Sequence, residues 1–226
     1  MLTDVKLLAV DLDGTLVDSA PDLAHCVDDA LGAVSLPPAG EALTRSWVGD
    51  GIENLLARAL QHALQATPDS DLLARALRAF DICYERNLFE RSRVYPGVAE
   101  TLDALLERGL RLCCVTNKRV GFAAELLRQA SLLARFDFVL GGDSLPRKKP
   151  HPDQLLAASQ RSGIAAANAA LVGDSEHDYG AARQAGFAFI WASYGYRANI
   201  EAVDGHDLTS IEGFADIENL LLRQAG

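Results

Sequence analysis

The sequence is short of basic residues. Its 226 residues include 21 lysines and arginines against 31 aspartates and glutamates, so the formal net charge is −10. Nucleic acids and anionic membranes are bound by dense positive charge, and this balance therefore argues against either as the main partner. An acidic chain that handles an anionic substrate also needs local positive charge, which a bound cation would supply.

Cysteine is scarce as well. The four cysteines form no Cys-x-x-Cys pair and no cluster with histidine, so a zinc site is not expected. Cys113 and Cys114 lie inside an apolar run, where thiols behave as small hydrophobic side chains. We favour free thiols in a reducing compartment over a disulfide.

Long hydrophobic runs are missing. No apolar stretch approaches the ~20 residues needed to span a bilayer. Asp4 and Asp11 flank an N-terminal run that is too short for the core of a signal peptide. Because 49% of the residues are nevertheless hydrophobic, the chain has enough apolar surface for a core. We expect a soluble, cytoplasmic protein of one or two domains.

The hydrophobic residues follow two different rhythms. Residues 5–10 form a short apolar run that is typical of a buried strand, and a turn follows it. Over residues 19–91 the apolar positions recur at helical spacing, and no segment is typical of a strand. Beyond Gly97 helical segments alternate with strands, which are predicted at residues 110–115, 136–140, 169–172 and 187–191.

This alternation predicts an α/β fold with a Rossmann-like parallel sheet and helices on its faces. The helical block interrupts the alternation directly after the first strand. We therefore divide the chain into an α/β core, residues 1–17 and 93–226, and an inserted all-helical domain, residues 18–92. The short polar joints between the two are expected to act as hinges.

Polar residues gather where the predicted strands end, which is where such sheets bind their ligands. The residues at those ends are Asp11, Asp13, Thr116, Asn117, Lys149, Asp174 and Asp178. Carboxylates as close as Asp11 and Asp13 repel each other unless a cation intervenes. Together with Asp174, water and a phosphate oxygen, they suit octahedral Mg²⁺. Asp178 would lie further out, as a water-mediated metal ligand or as a partner for Lys149.

These residue types support phosphoryl transfer. We expect the Asp11 carboxylate to attack phosphorus and form an acyl phosphate. Asp13 would protonate the leaving oxygen and then activate the water that hydrolyses the intermediate. Thr116, Asn117 and Lys149 would hold the phosphate oxygens, and the lysine would supply fixed positive charge.

The order of these residues resembles the four motifs of the haloacid dehalogenase-like (HAD-like) superfamily. The motifs are Asp-Leu-Asp-Gly-Thr from Asp11, Thr116-Asn117, Lys149-Pro150, and Gly-Asp-Ser-Glu-His-Asp from Gly173. A lone Asp-x-Asp is a weak signal, but four motifs in this order are specific. The resemblance implies a Mg²⁺-dependent hydrolase, and the inserted helical domain resembles that superfamily's cap.

Within the superfamily the chain is similar to bacterial phosphoglycolate phosphatases. The similarity lies in residues 11–23, 47–51, 94–98, 116–118, 141–146, 148–152 and 194–196. It implies that the partner is a small phosphorylated metabolite, 2-phosphoglycolate. Two departures stand out: Asp50 lies where asparagine is usual, and Glu176-His177 replaces the common Arg-Asn.

Several alternatives stay open. The same chemistry on a sugar phosphate or pyrophosphate fits the core equally well, because the cap shapes the pocket. Carbon–halogen hydrolysis also uses an aspartate nucleophile but needs neither Asp13 nor Mg²⁺. A phospho-accepting receiver module gathers similar residues but lacks the helical insertion. In the cap, Arg45 and Trp47 are candidate substrate contacts, with Arg58 as a further one. The oligomeric state, monomer or homodimer, is undetermined.

Overall fold

The computed structural model describes residue 2, residues 4–196 and residues 209–222. The chain divides into two compact units, one formed by Met1–Val17 with Val94–Gly226 and the other by Asp18–Arg93. We call the first the α/β unit and the second the helical unit.

A parallel sheet organises the α/β unit. The strands among the described residues are β1 (Leu7–Val10), β2 (Val17–Asp18), β3 (Arg93–Val94), β4 (Arg111–Val115), β5 (Phe138–Leu140), β6 (Ala169–Gly173), β7 (Ala188–Ala192) and β8 (Thr209–Ile211). Six of them form one sheet in the order β5-β4-β1-β6-β7-β8, and each neighbouring pair is parallel. This confirms the predicted α/β fold, although the short strand β8 was not predicted.

Strand β1 lies between β4 and β6, and all four of its residues are fully buried. Continuous burial on both faces is typical of an inner parallel strand. Val10 pairs in register with Cys114 of β4 and with Val172 of β6. The residues that follow these three strands therefore lie side by side at one edge of the sheet.

The helices are α1 (Ala20–Ala33), α2 (Glu41–Trp47), α3 (Gly51–Leu64), α4 (Ser70–Arg86), α5 (Val98–Glu107), α6 (Val120–Gln129), α7 (Asp153–Ser162), α8 (Glu176–Ala185) and α9 (Asp216–Leu222). Buried residues of α7 and α8, such as Leu155 and Ala182, pack with Leu7 and Ala9 of β1 in one hydrophobic cluster. Helix α8 starts with a capping box between Ser175 and Asp178, which fixes the backbone next to Asp174.

The helical unit contains α1 to α4, as the spacing of its apolar residues predicted for three of them. Helix α2 was not predicted, since it spans only seven residues and buries only Thr44 among them. Asp69 caps α4 by accepting a hydrogen bond from the backbone N–H of Leu72 at 2.7 Å. Asp22, in the first turn of α1, is fully buried.

The expectation of free thiols was wrong for two of the four cysteines. Cys26 of α1 and Cys83 of α4 form a disulfide with their Cα atoms 5.5 Å apart. The sequence did not reveal the pair because 57 residues separate the two positions, and only the packing of α1 against α4 brings them together. Cys113 and Cys114 are free and buried, as predicted.

The part of the chain that the structure describes contains no helix that is both long enough and apolar enough to cross a membrane.

Candidate active site

Lys149 connects the chain segments that meet at the edge of the sheet. Its side chain is 2% exposed, and its ammonium group donates to Asp11 Oδ1 at 2.8 Å, to the carbonyl of Val115 at 2.8 Å and to Asp178 Oδ1 at 2.6 Å. Burial disfavours the ammonium ion, but the charges of Asp11 and Asp178 outweigh that effect and raise the pKa of Lys149. The site therefore holds a permanent positive charge beside Asp11.

Three buried carboxylates lie close together around that lysine. Oxygens of Asp11, Asp174 and Asp178 are all within 4.8 Å of one another. Burial and the charge of Asp178 raise the pKa of Asp11 to about 7, against the partial relief that Lys149 provides. Burial and the charge of Asp11 likewise raise the pKa of Asp174 well above its usual value. Such crowding favours a cation, because a divalent ion lets all the carboxylates ionise.

The carboxylate of Asp178 already has partners. Its Oδ1 accepts from Lys149, and its Oδ2 accepts from the backbone N–H of Ser175 at 3.1 Å and from the Ser175 hydroxyl. Within the acidic group, Asp11 and Asp174 are consequently the better ligands for a metal ion. The contact with Lys149 is one of the two roles that the sequence analysis offered for Asp178.

Asp13 is paired with a lysine. Its carboxylate accepts from the ammonium group of Lys118 at 2.8 Å to Oδ1 and 3.0 Å to Oδ2, and the two side chains are 11% and 7% exposed. The side chains of Asp11, Asp174 and Asp178 form the acidic group, and the ion pair with Lys118 supplies Asp13 with a counter-charge of its own. That Asp13 takes part in binding a metal ion remains a prediction.

The charges of these side chains leave a deficit that a divalent cation would fill. Four carboxylates, those of Asp11, Asp13, Asp174 and Asp178, stand with the ammonium groups of Lys118 and Lys149. Their formal charge is −2 when all are ionised. Oxygen ligands and a net charge of this sign are what Mg²⁺ requires.

A turn after strand β7 holds the Asp174 carboxylate. The backbone N–H of Tyr196 donates to Asp174 Oδ2 at 2.7 Å, and the hydroxyl of Tyr194 donates to the carbonyl of Thr15 at 2.8 Å. A Cβ atom at Gly195 would lie 2.3 Å from Asp174 Cβ and 2.6 Å from the Gly14 carbonyl oxygen. The turn thus approaches as closely as glycine allows, and it orients the second oxygen of Asp174.

Thr116 and Asn117 follow strand β4 and are buried. The hydroxyl of Thr116 accepts from the backbone N–H of Lys118 at 3.2 Å, and the amide of Asn117 donates to the carbonyl of Lys149 at 3.0 Å. These bonds position the two lysines. That Thr116 and Asn117 also bind phosphate remains a prediction.

The sequence analysis missed two residues of this region. Lys118 was noted only as part of the Thr116-Asn117-Lys118 segment, although its place beside Asn117 was a usable signal. Gln154 of α7 is fully buried, donates to the carbonyls of Thr116 at 3.0 Å and Gly141 at 2.8 Å, and accepts from the backbone N–H of Lys149 at 3.1 Å. No local pattern announced Gln154, because its partners come from distant segments.

The candidate contacts in the helical unit have partners within that unit. The Arg45 guanidinium donates to Asp18 at 2.8 and 3.1 Å and to Glu41 at 2.8 Å. Trp47 packs its ring against His62, with the ring centroids 5.6 Å apart. A contact of Arg45 or Trp47 with substrate remains a prediction.

A parallel α/β sheet with two aspartates after β1, a buried lysine and an acidic group is typical of a class of hydrolase. The chain matches the model of haloacid dehalogenase-like hydrolases over residues 5–186. Since this match covers most of the chain, the protein belongs to the family of haloacid dehalogenase-like hydrolases.

Individual relatives narrow the comparison. The chain is 41% identical to a phosphoglycolate phosphatase of Nitrosococcus oceani, and the alignment covers 100% of both chains. It is 44% identical to the phosphoglycolate phosphatase of Escherichia coli K12, over 89% of this chain and 86% of that one. Its fold matches the crystal structure of a predicted phosphoglycolate phosphatase from Haemophilus somnus with a TM-score of 0.90 and 38% identity, over 97% and 99% of the two chains.

Proposed function

We propose that this protein is a Mg²⁺-dependent phosphatase that hydrolyses 2-phosphoglycolate to glycolate and phosphate through an aspartyl-phosphate on Asp11. The contact that carries the proposal is the bond from the buried Lys149 ammonium to Asp11 at 2.8 Å, next to the acidic group. The relatives named as phosphoglycolate phosphatases support the choice of substrate. Magnesium, the covalent intermediate and the substrate are parts of this proposal.

The first half of the reaction transfers the phosphoryl group to the protein. The Asp11 carboxylate attacks phosphorus, a new O–P bond forms, and the bond from phosphorus to the ester oxygen breaks. For this step Asp13 carries a proton on one oxygen while its other oxygen accepts from Lys118, and it gives that proton to the ester oxygen, so glycolate leaves with a neutral hydroxyl at this end. Lys149 stabilises the charge on the phosphoryl oxygens from a fixed position.

The second half regenerates the carboxylate. Asp13, now ionised, takes a proton from a water molecule while the oxygen of that water attacks the phosphorus of the aspartyl-phosphate. The bond between phosphorus and the Asp11 oxygen breaks, and inorganic phosphate is released. Asp13 serves both steps in this proposal because it lies two residues from Asp11, close enough for its charge to act on the Asp11 carboxyl.

The side chains of Asp11 and Asp174 would hold the Mg²⁺ ion in this proposal. The ion, when bound, neutralises charge on the phosphate and on the clustered carboxylates. Asp178 keeps Lys149 in place, and the turn at Tyr196 keeps Asp174 in place.

Phosphate release is the experiment that tests the proposal. We expect release from 2-phosphoglycolate with Mg²⁺, none with EDTA, and a loss of about a thousandfold or more in kcat for Asp11→Asn. The exposed Asp103, which pairs with Arg135, provides the matched control Asp103→Asn, with activity near that of the wild type. The panel should include a sugar phosphate, pyrophosphate and a halogenated acid.

Each alternative has its own outcome. Faster phosphate release from a sugar phosphate or pyrophosphate would show that 2-phosphoglycolate is not the preferred substrate. Halide release without Mg²⁺ would show that the protein hydrolyses carbon–halogen bonds instead of phosphate esters. A stable phosphoprotein formed once per chain without turnover would indicate a receiver module.

The cytoplasmic location stays a prediction, and the Cys26–Cys83 disulfide removes the support that free thiols lent to it.

A further inference from the structure

Two lysines serve the two aspartates of the Asp-x-Asp motif, and they differ in their surroundings. Lys149 binds three acceptors on the side of Asp11. Lys118 binds both oxygens of Asp13 at 2.8 and 3.0 Å, with 7% of its side chain exposed. The mechanism above uses Lys149 but gives no role to Lys118.

We propose that Lys118 selects phosphate esters whose leaving group carries a negative charge near the ester oxygen, by pairing its ammonium with that charge. This inference rests on the proposed function, in which Asp13 protonates the ester oxygen. The class of substrate is a phosphate monoester with a carboxylate two bonds beyond that oxygen, of which 2-phosphoglycolate is the smallest example.

The position of Lys118 follows from its contact with Asp13. The acid that protonates an ester oxygen must approach it within hydrogen-bond distance, about 2.6–3.2 Å. An ammonium group held at 2.8 Å from Asp13 Oδ1 therefore lies within about 6 Å of the ester oxygen. A carboxylate two bonds from the ester oxygen falls within reach of the same ammonium, because those two bonds together span about 2.5 Å.

The backbone around Lys118 is held firmly. Its N–H donates to the Thr116 hydroxyl at 3.2 Å, and its carbonyl accepts from the N–H of Gly142 at 2.8 Å. A Cβ atom at Gly141 would lie 2.7 Å from the Lys118 carbonyl oxygen, and one at Gly142 would lie 2.4 Å from that of Asn117. The loop at Gly141 and Gly142 thus fixes the base of the lysine, which lowers the entropy lost when it pairs with a substrate.

Lys149 cannot serve this purpose as well. It is 2% exposed and binds acceptors from three segments, so its charge is committed to the nucleophile and to Asp178. In the helical unit, Arg45 is committed to Asp18 and Glu41 in the same way. Lys118 binds the carboxylate of Asp13, the residue that protonates the ester oxygen in the proposed mechanism, and this contact brings its ammonium group near the leaving group.

A matched pair of esters tests the proposal. One is 2-phosphoglycolate, and the other is its carboxamide, in which the same skeleton carries no negative charge on the leaving group. For the wild type we expect kcat/KM to favour the acid by about a hundredfold, since a site built to pair with a group rejects the analogue that lacks it. For Lys118→Met we expect the preference to fall to within about threefold of unity, by the same reasoning.

Two further variants, and one outcome for Lys118→Met, decide between substrate selectivity and a general effect on the rate. Lys118→Arg keeps the charge and should retain most of the preference. Lys6→Met removes a lysine that is 60% exposed in the same unit, and it should leave both rates unchanged. If Lys118→Met slows both esters by the same factor, the lysine acts only through Asp13, and the proposal is overturned.

The wild-type measurement stands without any variant. Equal kcat/KM for the acid and the carboxamide would overturn the role of Lys118 while leaving the phosphatase proposal intact. Release of phosphate from neither ester would overturn the proposed function and this inference with it. Circular dichroism of each variant establishes that a changed preference does not come from unfolding.

Discussion

The two units bury carboxylates in opposite ways. In the helical unit, Asp22 is fully buried and accepts from the backbone N–H groups of Arg91 and Ser92 and from the Ser92 hydroxyl, at 2.6 to 3.0 Å. In the α/β unit, Asp11 and Asp174 are buried beside each other. Burial and the charge of a neighbouring carboxylate raise the pKa of both.

The difference separates a carboxylate whose charge the fold compensates from carboxylates whose charge it leaves uncompensated. Donors surround Asp22 on both of its oxygens, so its charge is compensated by the fold itself. The acidic group of the α/β unit keeps an excess of negative charge, which a cation would balance under the proposed function. Burial by itself therefore does not mark a functional acid; burial next to other acids does.

The largest expected effect concerns the helical unit's covalent link. We expect reduction of the Cys26–Cys83 disulfide to lower the free energy of unfolding of this unit by about 4 kcal/mol, as the chain-entropy relation gives for a loop of this size. Urea unfolding followed by circular dichroism, with and without dithiothreitol, measures it. The free energy of unfolding of the double variant Cys26→Ser/Cys83→Ser should not change with dithiothreitol. Equal stability of the oxidised and the reduced wild type would contradict the prediction.

Asp22→Ala comes next. It leaves the N–H groups of Arg91 and Ser92 and a buried hydroxyl without their acceptor, and we expect a loss of about 3 kcal/mol in the free energy of unfolding. Urea titration checks it. The exposed Asp71 in the first turn of α4 gives the control Asp71→Ala, for which we expect a change of about 0.5 kcal/mol. Equal losses for the two variants would show that Asp22 is not a structural carboxylate.

Gly195→Ala tests how the turn after β7 supports the acidic group. The added Cβ would press on Asp174 and on the Gly14 carbonyl, so we expect Mg²⁺ affinity to fall about tenfold, or about 1.4 kcal/mol. Calorimetric titration of the metal-free protein with Mg²⁺ reads this directly. Gly121→Ala, whose added Cβ meets nothing within 4 Å, is the control. Unchanged affinity in Gly195→Ala would refute the support by the turn.

The smallest expected effect is that of Asp11→Asn, which should raise the free energy of unfolding where Asp22→Ala lowers it. The pKa of Asp11 is about 7 in the folded protein and near 3.8 in the unfolded chain. The folded state therefore holds the extra proton between these values, and its stability falls as the pH rises through that window. With EDTA at pH 8, the ionised carboxylate costs the folded state about 4 kcal/mol, at about 1.36 kcal/mol per pKa unit. Asp11→Asn also takes a charged acceptor from the buried Lys149 ammonium, so we expect a net gain of about 1 kcal/mol in the free energy of unfolding.

A control on the surface sharpens this last test. Asp103 has a lowered pKa because Arg135 donates a hydrogen bond to it, so Asp103→Asn should give a small loss and not a gain. The urea midpoints of both variants at pH 5 and pH 8 provide the measurement. A gain for Asp11→Asn that is as large at pH 5 as at pH 8 would speak against electrostatic crowding as its cause.

Local sequence patterns predicted the polar residues at the ends of the parallel strands. Asp11 and Asp174 follow short apolar runs, and such runs are strands because an inner parallel strand is buried on both faces. Lys149 was found by its place in a motif. Helix α2 and strand β8 were missed because each offers too few buried residues for a periodic signal.

Contacts between distant segments were beyond the sequence. The ion pair of Lys118 and Asp13 joins positions 105 residues apart, and the bond from Tyr196 to Asp174 joins positions 22 apart. Neither has a local pattern, because a lysine beside a loop or a backbone N–H in a turn looks the same with or without its partner.

By itself, the amino-acid sequence determined the parallel α/β core, the helical insertion and the set of acidic and basic residues at the strand ends, since hydrophobic periodicity and turn residues act locally. Only the tertiary structure decided which carboxylate meets which lysine, that Asp178 joins Asp11 and Asp174 in the acidic group, and that Cys26 meets Cys83. Charges and thiols respond to distance through space, and that distance exists only once the chain has folded.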